Sequence, residues 1–246
     1  IVLMNVKAGP NNSRLMTVAI IPAAGTGIRM ESDRPKQFLD LEGRPLLAVT
    51  LENFQACSAI DSIILVAPQS DVRYCQGEIV ERHHLTKVEK VVAGGERRQD
   101  SVRLGIEASG GHYGLVLIHD GVRPLITHDL IERVIKAAQE HRAVITGLPA
   151  KETVKEIDEN ALVMKTYDRQ KVWLVQTPQV FRYEDILMAH RRAVEEGWEE
   201  VTDDALLVEK VGIPVKVVEG SEDNIKVTTP QDLELVKFLL KRQKQK

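Results

Sequence analysis

The apolar positions of the chain change period repeatedly. Residues 18–21, 62–67, 115–118 and 143–148 are almost continuously apolar, as expected of strands covered on both faces in a parallel sheet. Residues 87–93 are more mixed and read as a further strand. Between these runs the spacing turns helical. Leu46, Leu47, Val49, Leu51 and Phe54 predict a helix ending near Cys57, and residues 72–83 and 99–108 predict two more. Thr127 caps a fourth, whose positions Leu130, Ile131, Val134, Ile135 and Ala138 keep one apolar face. This alternation predicts an α/β fold with a doubly wound, mostly parallel sheet and right-handed crossovers.

The alternation stops at Ala150. Residues 151–157 are polar and β-like, Asp158-Glu159-Asn160 makes a turn, and residues 162–167 return. The hairpin stands apart from the main sheet. Two strands alone are marginally stable, so it needs a surface to pack on, and a partner subunit is one candidate. A strand at 172–176, helices at 183–195 and 202–211, and strands at 214–218 and 224–227 follow. Thr229-Pro230 opens a last helix, with Asp232 three residues after the cap. The expected organisation is one domain, 17–246, with 149–171 as a protruding β-arm and 1–16 as a leader outside the fold.

Charge and composition exclude some classes of function. The net charge of −3 argues against nucleic-acid binding, so any phosphate site must come from local clusters of cations. No apolar run approaches the ~20 residues of a membrane span. Cys57 and Cys75 are the only cysteines, too few for a disulfide framework, and they point to a reducing cytoplasm, or to a plastid stroma for a plant source.

The candidate chemistry is densest between Ile20 and Gln37. An apolar strand runs into Pro22-Ala23-Ala24-Gly25-Thr26-Gly27, and Arg29 and Lys36 follow. Small residues let a main chain approach a ligand, and N–H groups exposed in such a turn bind anions. With two cations behind it, the turn is a seat for a nucleotide triphosphate. It lacks the Gly-x4-Gly-Lys-Ser/Thr of phosphate-binding loops. Met30 stands at the third glycine of the dinucleotide fingerprint, which disfavours a nicotinamide dehydrogenase. The turns at Gly94-Gly95 and after Asp120 also lie at predicted carboxyl ends of strands, where such sheets bind ligands.

Pro22-Ala23-Ala24-Gly25-x-Gly27-x-Arg29-Met30 followed by Pro35-Lys36-Gln37 resembles the signature loop of the 2-C-methyl-D-erythritol 4-phosphate cytidylyltransferases. The resemblance returns at residues 94–101, at His119-Asp120-Gly121-Val122-Arg123-Pro124, at Thr153, at Asp168-Arg169, at Gln176-Thr177-Pro178-Gln179, at Thr202-Asp203 and at 223–228. It covers nearly the whole chain from Val18. It implies a Rossmann-like nucleotidyltransferase fold, and a homodimer whose arms cross between subunits. The implied reaction joins CTP to 2-C-methyl-D-erythritol 4-phosphate and releases pyrophosphate, in the non-mevalonate route to isoprenoids. Mg2+ or another divalent cation would bridge the triphosphate oxygens.

The resemblance also implies roles. Arg29, Lys36, Arg169 and Lys226 are the catalytic cations. Pro22, Ala23, Ala24, Gly25 and Gly27 surround the CTP phosphates, with Gly95, Glu96, Arg98, Ser101, Asp120 and Gly121 completing the nucleotide site. Asp120, Arg123, Thr153, Thr177 and Thr202 hold the acceptor, and Asp120 is also the candidate metal ligand. Glu96 departs from the family's usual Asp, and Gly121-Val122 from its usual Ala-Ala. Plainer readings stand beside these: surface charges at Arg29 and Lys36, a first-turn helix residue at Ser101, a structural ion pair between Asp120 and Arg123, and ordinary strand and cap chemistry at Thr177 and Thr202. Two rival functions are cytidylyl transfer to ribitol 5-phosphate and nucleotide sensing without catalysis.

Overall fold

The computed structural model describes residues 14–25, 35–199 and 201–244. Strand β1 (Thr17–Pro22) is followed by the ribbon β2 (Asp40–Leu41) and β3 (Arg44–Pro45), then by α1 (Leu46–Ala56), β4 (Ser62–Ala67), α2 (Val72–Tyr74) and β5 (Val88–Ala93). Next come α3 (Arg98–Ala108), β6 (Leu115–Ile118), α4 (His128–Glu140) and β7 (Ala143–Pro149). The remainder holds β8 (Lys155–Ile157), β9 (Val163–Thr166), β10 (Trp173–Arg182), α5 (Tyr183–Glu195), α6 (Asp204–Lys210), β11 (Val215–Glu219) and α7 (Pro230–Lys244).

Seven strands form one sheet in the order β11-β7-β10-β6-β1-β4-β5. The continuous apolar runs follow from its two covers. Ala19 and Ile21 of β1 pack into the layer of α1 and α4, while Val18 and Ile20 pack into the layer of α3, α5 and α6. A third cluster, with Leu41, Leu46, Val122, Val227 and Val236, seats α7 beside the ribbon. β1 pairs in parallel with β4 on one side and β6 on the other. The strand order therefore reverses between β1 and β6, and the crevice beyond their carboxyl ends is the expected ligand site of such a sheet.

Three elements differ from the sequence reading. The strand expected at 172–176 is the first half of β10, which runs on to Arg182 and lies antiparallel between β6 and β7, with a register shift between Gln176 and Gln179. The helix expected at 72–83 is α2 continuing into a π-helix, Cys75–Glu81, where Gly77 tolerates the wider turn. No strand forms at 224–227. Among the described residues its one backbone bond to a distant segment runs from the Val227 N–H to the Val122 carbonyl at 2.9 Å, while the N–H groups of Asn224 and Ile225 turn back locally to the Ser221 and Asp223 carbonyls. Among the described residues β8 and β9 pair only with each other. Apolar side chains of this hairpin lie open, Leu162 at the turn at 65% and Met164 on β9 at 67% exposure. Among the described residues no helix is long and apolar enough to cross a membrane.

Candidate active site

The crevice is floored by main chain. β1 and β4 extend past their ends through the Ala23 N–H to the Val66 carbonyl at 2.8 Å, and the Gly94 N–H reaches the Ala67 carbonyl at 2.9 Å. Gln37 is buried under the turn and donates from Nε2 to the carbonyls of Ala23 at 2.8 Å and Gly25 at 3.3 Å. Those carbonyls are thereby held beneath the turn. The second wall comes from the loop into α3. It closes so tightly that a Cβ on Gly94 would fall 2.4 Å from the Ala24 Cβ, a distance no side chain survives. Ser101 accepts the Gly95 N–H at 3.2 Å, so this first-turn helix residue also shapes the glycine turn. Pro22, Ala23, Ala24, Gly25, Lys36, Gly95, Glu96, Arg98, Ser101, Asp120 and Lys226 all line this cleft.

Asp120, just past β6, gathers three cations. Its Oδ1 takes Arg98 Nε at 3.2 Å, while its Oδ2 takes Lys226 Nζ at 2.9 Å and Arg123 Nε at 3.4 Å. Burial alone would raise the pKa of this carboxyl. Arg98, Lys226 and Arg123 outweigh it and hold Asp120 well below the usual carboxylate range. Arg98 also donates through Nη1 to Asp204 at 2.6 Å. Three cations thus face two buried carboxylates, and the surplus of positive charge favours phosphate.

The backbone of Asp120 is fixed by a polar chain. His119 is fully buried and its Nε2 lies 3.2 Å from the Arg123 carbonyl. A carbonyl only accepts, so Nε2 carries the proton and Nδ1 is bare. The Thr177 hydroxyl therefore donates to His119 Nδ1 at 3.2 Å and accepts the Asp120 N–H at 3.1 Å. Burial, and then the charge of Arg123, push the His119 pKa down to about 3. Asn224 joins the same corner: its Nδ2 donates to the Thr177 carbonyl and its carbonyl accepts from Arg123 Nη1, both at 2.7 Å.

A second pocket adjoins the first, lined among others by Arg123, Thr177, Gln179, Thr202 and Asp203. Of the residues singled out in the sequence, Thr177 and Thr202 thus meet Arg123 there. A Cβ on Gly121 would come within 3.0–3.3 Å of Leu47, Ala23 and Ile21, and its neighbour Val122, not Gly121, lines the cleft. Asp120 and Arg123 do form the ion pair of the plainer reading, but within a larger cluster open to both pockets. Thr153 and Arg169 belong to the hairpin region and line neither pocket of their own chain; Arg169 Nη1 donates to the Lys151 carbonyl at 3.2 Å. Gly27 and Arg29 lie outside the described residues. The sequence reading gave no site role to Gln37, Thr228 or Asp204, whereas Val122, singled out there as a departure from the family pattern, does line the cleft. Gln37 sits inside the quoted Pro-Lys-Gln motif. Asp204 follows Asp203, the cap of α6, and an acidic pair at a helix start reads as capping alone.

A doubly wound sheet with a small-residue turn and a cation cluster at its switch point is an architecture suited to a nucleotidyltransferase. The chain belongs to the 2-C-methyl-D-erythritol 4-phosphate cytidylyltransferase family, whose profile matches residues 17–242. The family's member from Syntrophus aciditrophicus is 46% identical over 226 residues, 92% of this chain and 96% of that protein. The one from Geobacter metallireducens is 44% identical over 91% of this chain and 97% of its own length. Among solved structures, the 4-diphosphocytidyl-2C-methyl-D-erythritol synthase of Anaerococcus prevotii superposes with a TM-score of 0.81 at 34% identity, covering 92% of this chain and 96% of its own.

Proposed function

We infer that the protein transfers the cytidylyl group of CTP to 2-C-methyl-D-erythritol 4-phosphate and releases pyrophosphate. One observation carries the reading: the nucleotide cleft and the second pocket share Arg98, Asp120 and Lys226. The reacting phosphates of donor and acceptor would meet at that cluster. The acceptor phosphate is already ionised near neutral pH, so no general base is required. Its oxygen bonds to the α-phosphorus, the bond from that phosphorus to the bridging oxygen breaks, and pyrophosphate leaves with the electron pair.

The protein's part is placement and charge. The Ala23–Gly25 turn, Arg29 and Lys36 hold the triphosphate, the Gly95 and Ser101 turn holds the base, and Lys226 meets the charge that builds at the α-phosphate. Arg123, Thr177 and Thr202 orient the acceptor. A divalent cation such as Mg2+ would neutralise triphosphate charge. Among the described residues no group of three or more His, Cys, Asp or Glu side chains is placed to hold a metal, and Asp120 already faces three cations. The residues present therefore fit an ion carried by the nucleotide.

The arm completes the reading. Exposed apolar groups at the β8–β9 turn and on the first half of β10, Leu174 among them, are suited to a homodimer interface. Thr153 and Arg169 would then serve the site of the partner subunit. The test is pyrophosphate release with CTP and Mg2+, comparing methylerythritol phosphate with ribitol 5-phosphate. Turnover with the first alone is the expected result. Turnover with ribitol 5-phosphate alone overturns the acceptor, and CTP binding without turnover on either overturns the enzyme.

A further inference from the structure

Asp204 lines neither pocket, yet it is one of the most expensively placed groups in the molecule. It opens α6, is fully buried, and accepts Arg98 Nη1 on Oδ2 at 2.6 Å. Burying a carboxylate is costly unless a partner compensates it. Burial would raise its pKa, but Arg98 and His190 outweigh that and keep the group ionised. Helix capping does not explain it, because Asp203 already caps α6, accepting the Leu206 N–H on Oδ1 at 3.1 Å. The second Asp204 oxygen faces His190 Nε2 at 3.4 Å, without the alignment of a hydrogen bond. Among the described residues, the strong hydrogen bond of this carboxylate runs to Arg98.

We propose that Asp204 is a positioning residue for cytidylyl transfer and acts through Arg98. The guanidinium opens α3 and spans two carboxylates, Asp204 through Nη1 and Asp120 Oδ1 through Nε. Held on that line, it offers Asp120 a single nitrogen, which leaves Oδ2 to Lys226 and Arg123. Released from Asp204, the planar guanidinium is free to turn side-on and take both oxygens of Asp120, the geometry that such pairs favour. Lys226 then loses its carboxylate anchor where the two phosphates meet, and Arg123 is left with the Asn224 carbonyl. The tether also joins the loop that reads the base, before α3, to Thr202, just before α6, so the two pockets keep a common spacing. Arg98 is the residue of the nucleotide cleft that bonds Asp204; the Ala23–Gly25 turn, Gly95 and Ser101 make no bond to it among the described residues.

This inference rests on the transfer reaction above. Its test is Asp204→Asn in the full chain, with steady-state pyrophosphate release measured against CTP and methylerythritol phosphate, alongside thermal unfolding. The expected result is a kcat lower by roughly ten- to a hundredfold with a CTP KM within about threefold of wild type, and partial recovery in Asp204→Glu, which restores the charge. Arg98→Lys keeps a charge but cannot span both carboxylates, and should lose kcat to a similar degree. The double variant Asp204→Asn, Arg98→Lys should be no slower than the slower single, because the two act as one unit. If Asp204→Asn yields no folded protein, Asp204→Glu and Arg98→Lys carry the test through kcat alone. An unchanged kcat, even with a lower melting temperature, overturns the proposal and leaves Asp204 a structural residue. Wild type assayed in parallel separates the two readings: absence of wild-type turnover overturns the reaction itself, and the positioning role with it.

Discussion

Lys226 Nζ lies 2.9 Å from Asp120 Oδ2, and both residues line the two pockets. On the proposed reading the pair holds the ammonium where the donor and acceptor phosphates would meet. An arriving phosphate competes with Asp120 for the same charge. Lys226→Ala is expected to cut kcat at least about a hundredfold, the scale of losing one donor that meets developing charge. Pyrophosphate release at saturating CTP and acceptor checks it; a variant retaining a third of wild-type kcat would leave Lys226 outside the chemistry.

The hydroxyl of Thr177 links the Asp120 N–H to His119 Nδ1. Thr177→Val keeps the shape but strands both groups in a buried corner. Each unpaired group costs about 1–3 kcal/mol, so urea unfolding should report a loss of a few kcal/mol. Thr177→Ser, which keeps the oxygen, should lose much less. Equal losses in the two variants would mean that packing rather than the polar chain matters at this position.

His119 predicts a pH dependence of stability. An unfolded histidine takes up a proton near pH 6.5, whereas the buried native ring resists it down to about 3. Between these values the unfolded state binds the extra proton, so stability falls as pH drops through the window. One such group contributes about 1.4 kcal/mol per pH unit. Guanidinium unfolding at pH 6.5 and 5 should show a loss of about 2 kcal/mol from this group. His119→Gln should be less stable overall and flatter by that amount. An unaltered slope in the variant would assign the dependence to other groups.

The hairpin is testable by complementation. If Arg169 serves the partner's site, a 1:1 mixture of Arg169→Ala and Lys226→Ala chains, unfolded and refolded together, forms mixed dimers with one site intact and one doubly impaired. Random pairing then restores about a quarter of wild-type activity from two inactive parents. No recovery, with mixed dimers verified by mass, would place Arg169 in the site of its own chain. Leu162→Asp should weaken the dimer in sedimentation.

Much of the fold was legible because strand and helix periods report local burial. β1 and β4 read as two-sided strands, and each is buried on both faces. α4 read as a capped helix, and its Thr127 accepts the Leu130 N–H at 3.3 Å. β10 was half missed because Thr177-Pro178 interrupts its apolar pattern, and the segment at 224–227 looked like a strand although its backbone makes only one ladder-like bond. Strand pairing depends on neighbours far along the chain, which local spacing does not contain.

Taken alone, the sequence determined the alternation of elements, the small-residue turn after β1 and the cations able to serve a phosphate, since each depends on residues adjacent in the chain. The tertiary structure decided which cations share a carboxylate, which nitrogen of His119 carries the proton, and that the Arg98–Asp204 tether spans 106 positions in sequence. Those facts arise where the ends of β6, α3, α6 and β10 converge. Electrostatic interactions act over a few ångströms of space whatever the distance along the chain, so only the folded chain brings these groups to account.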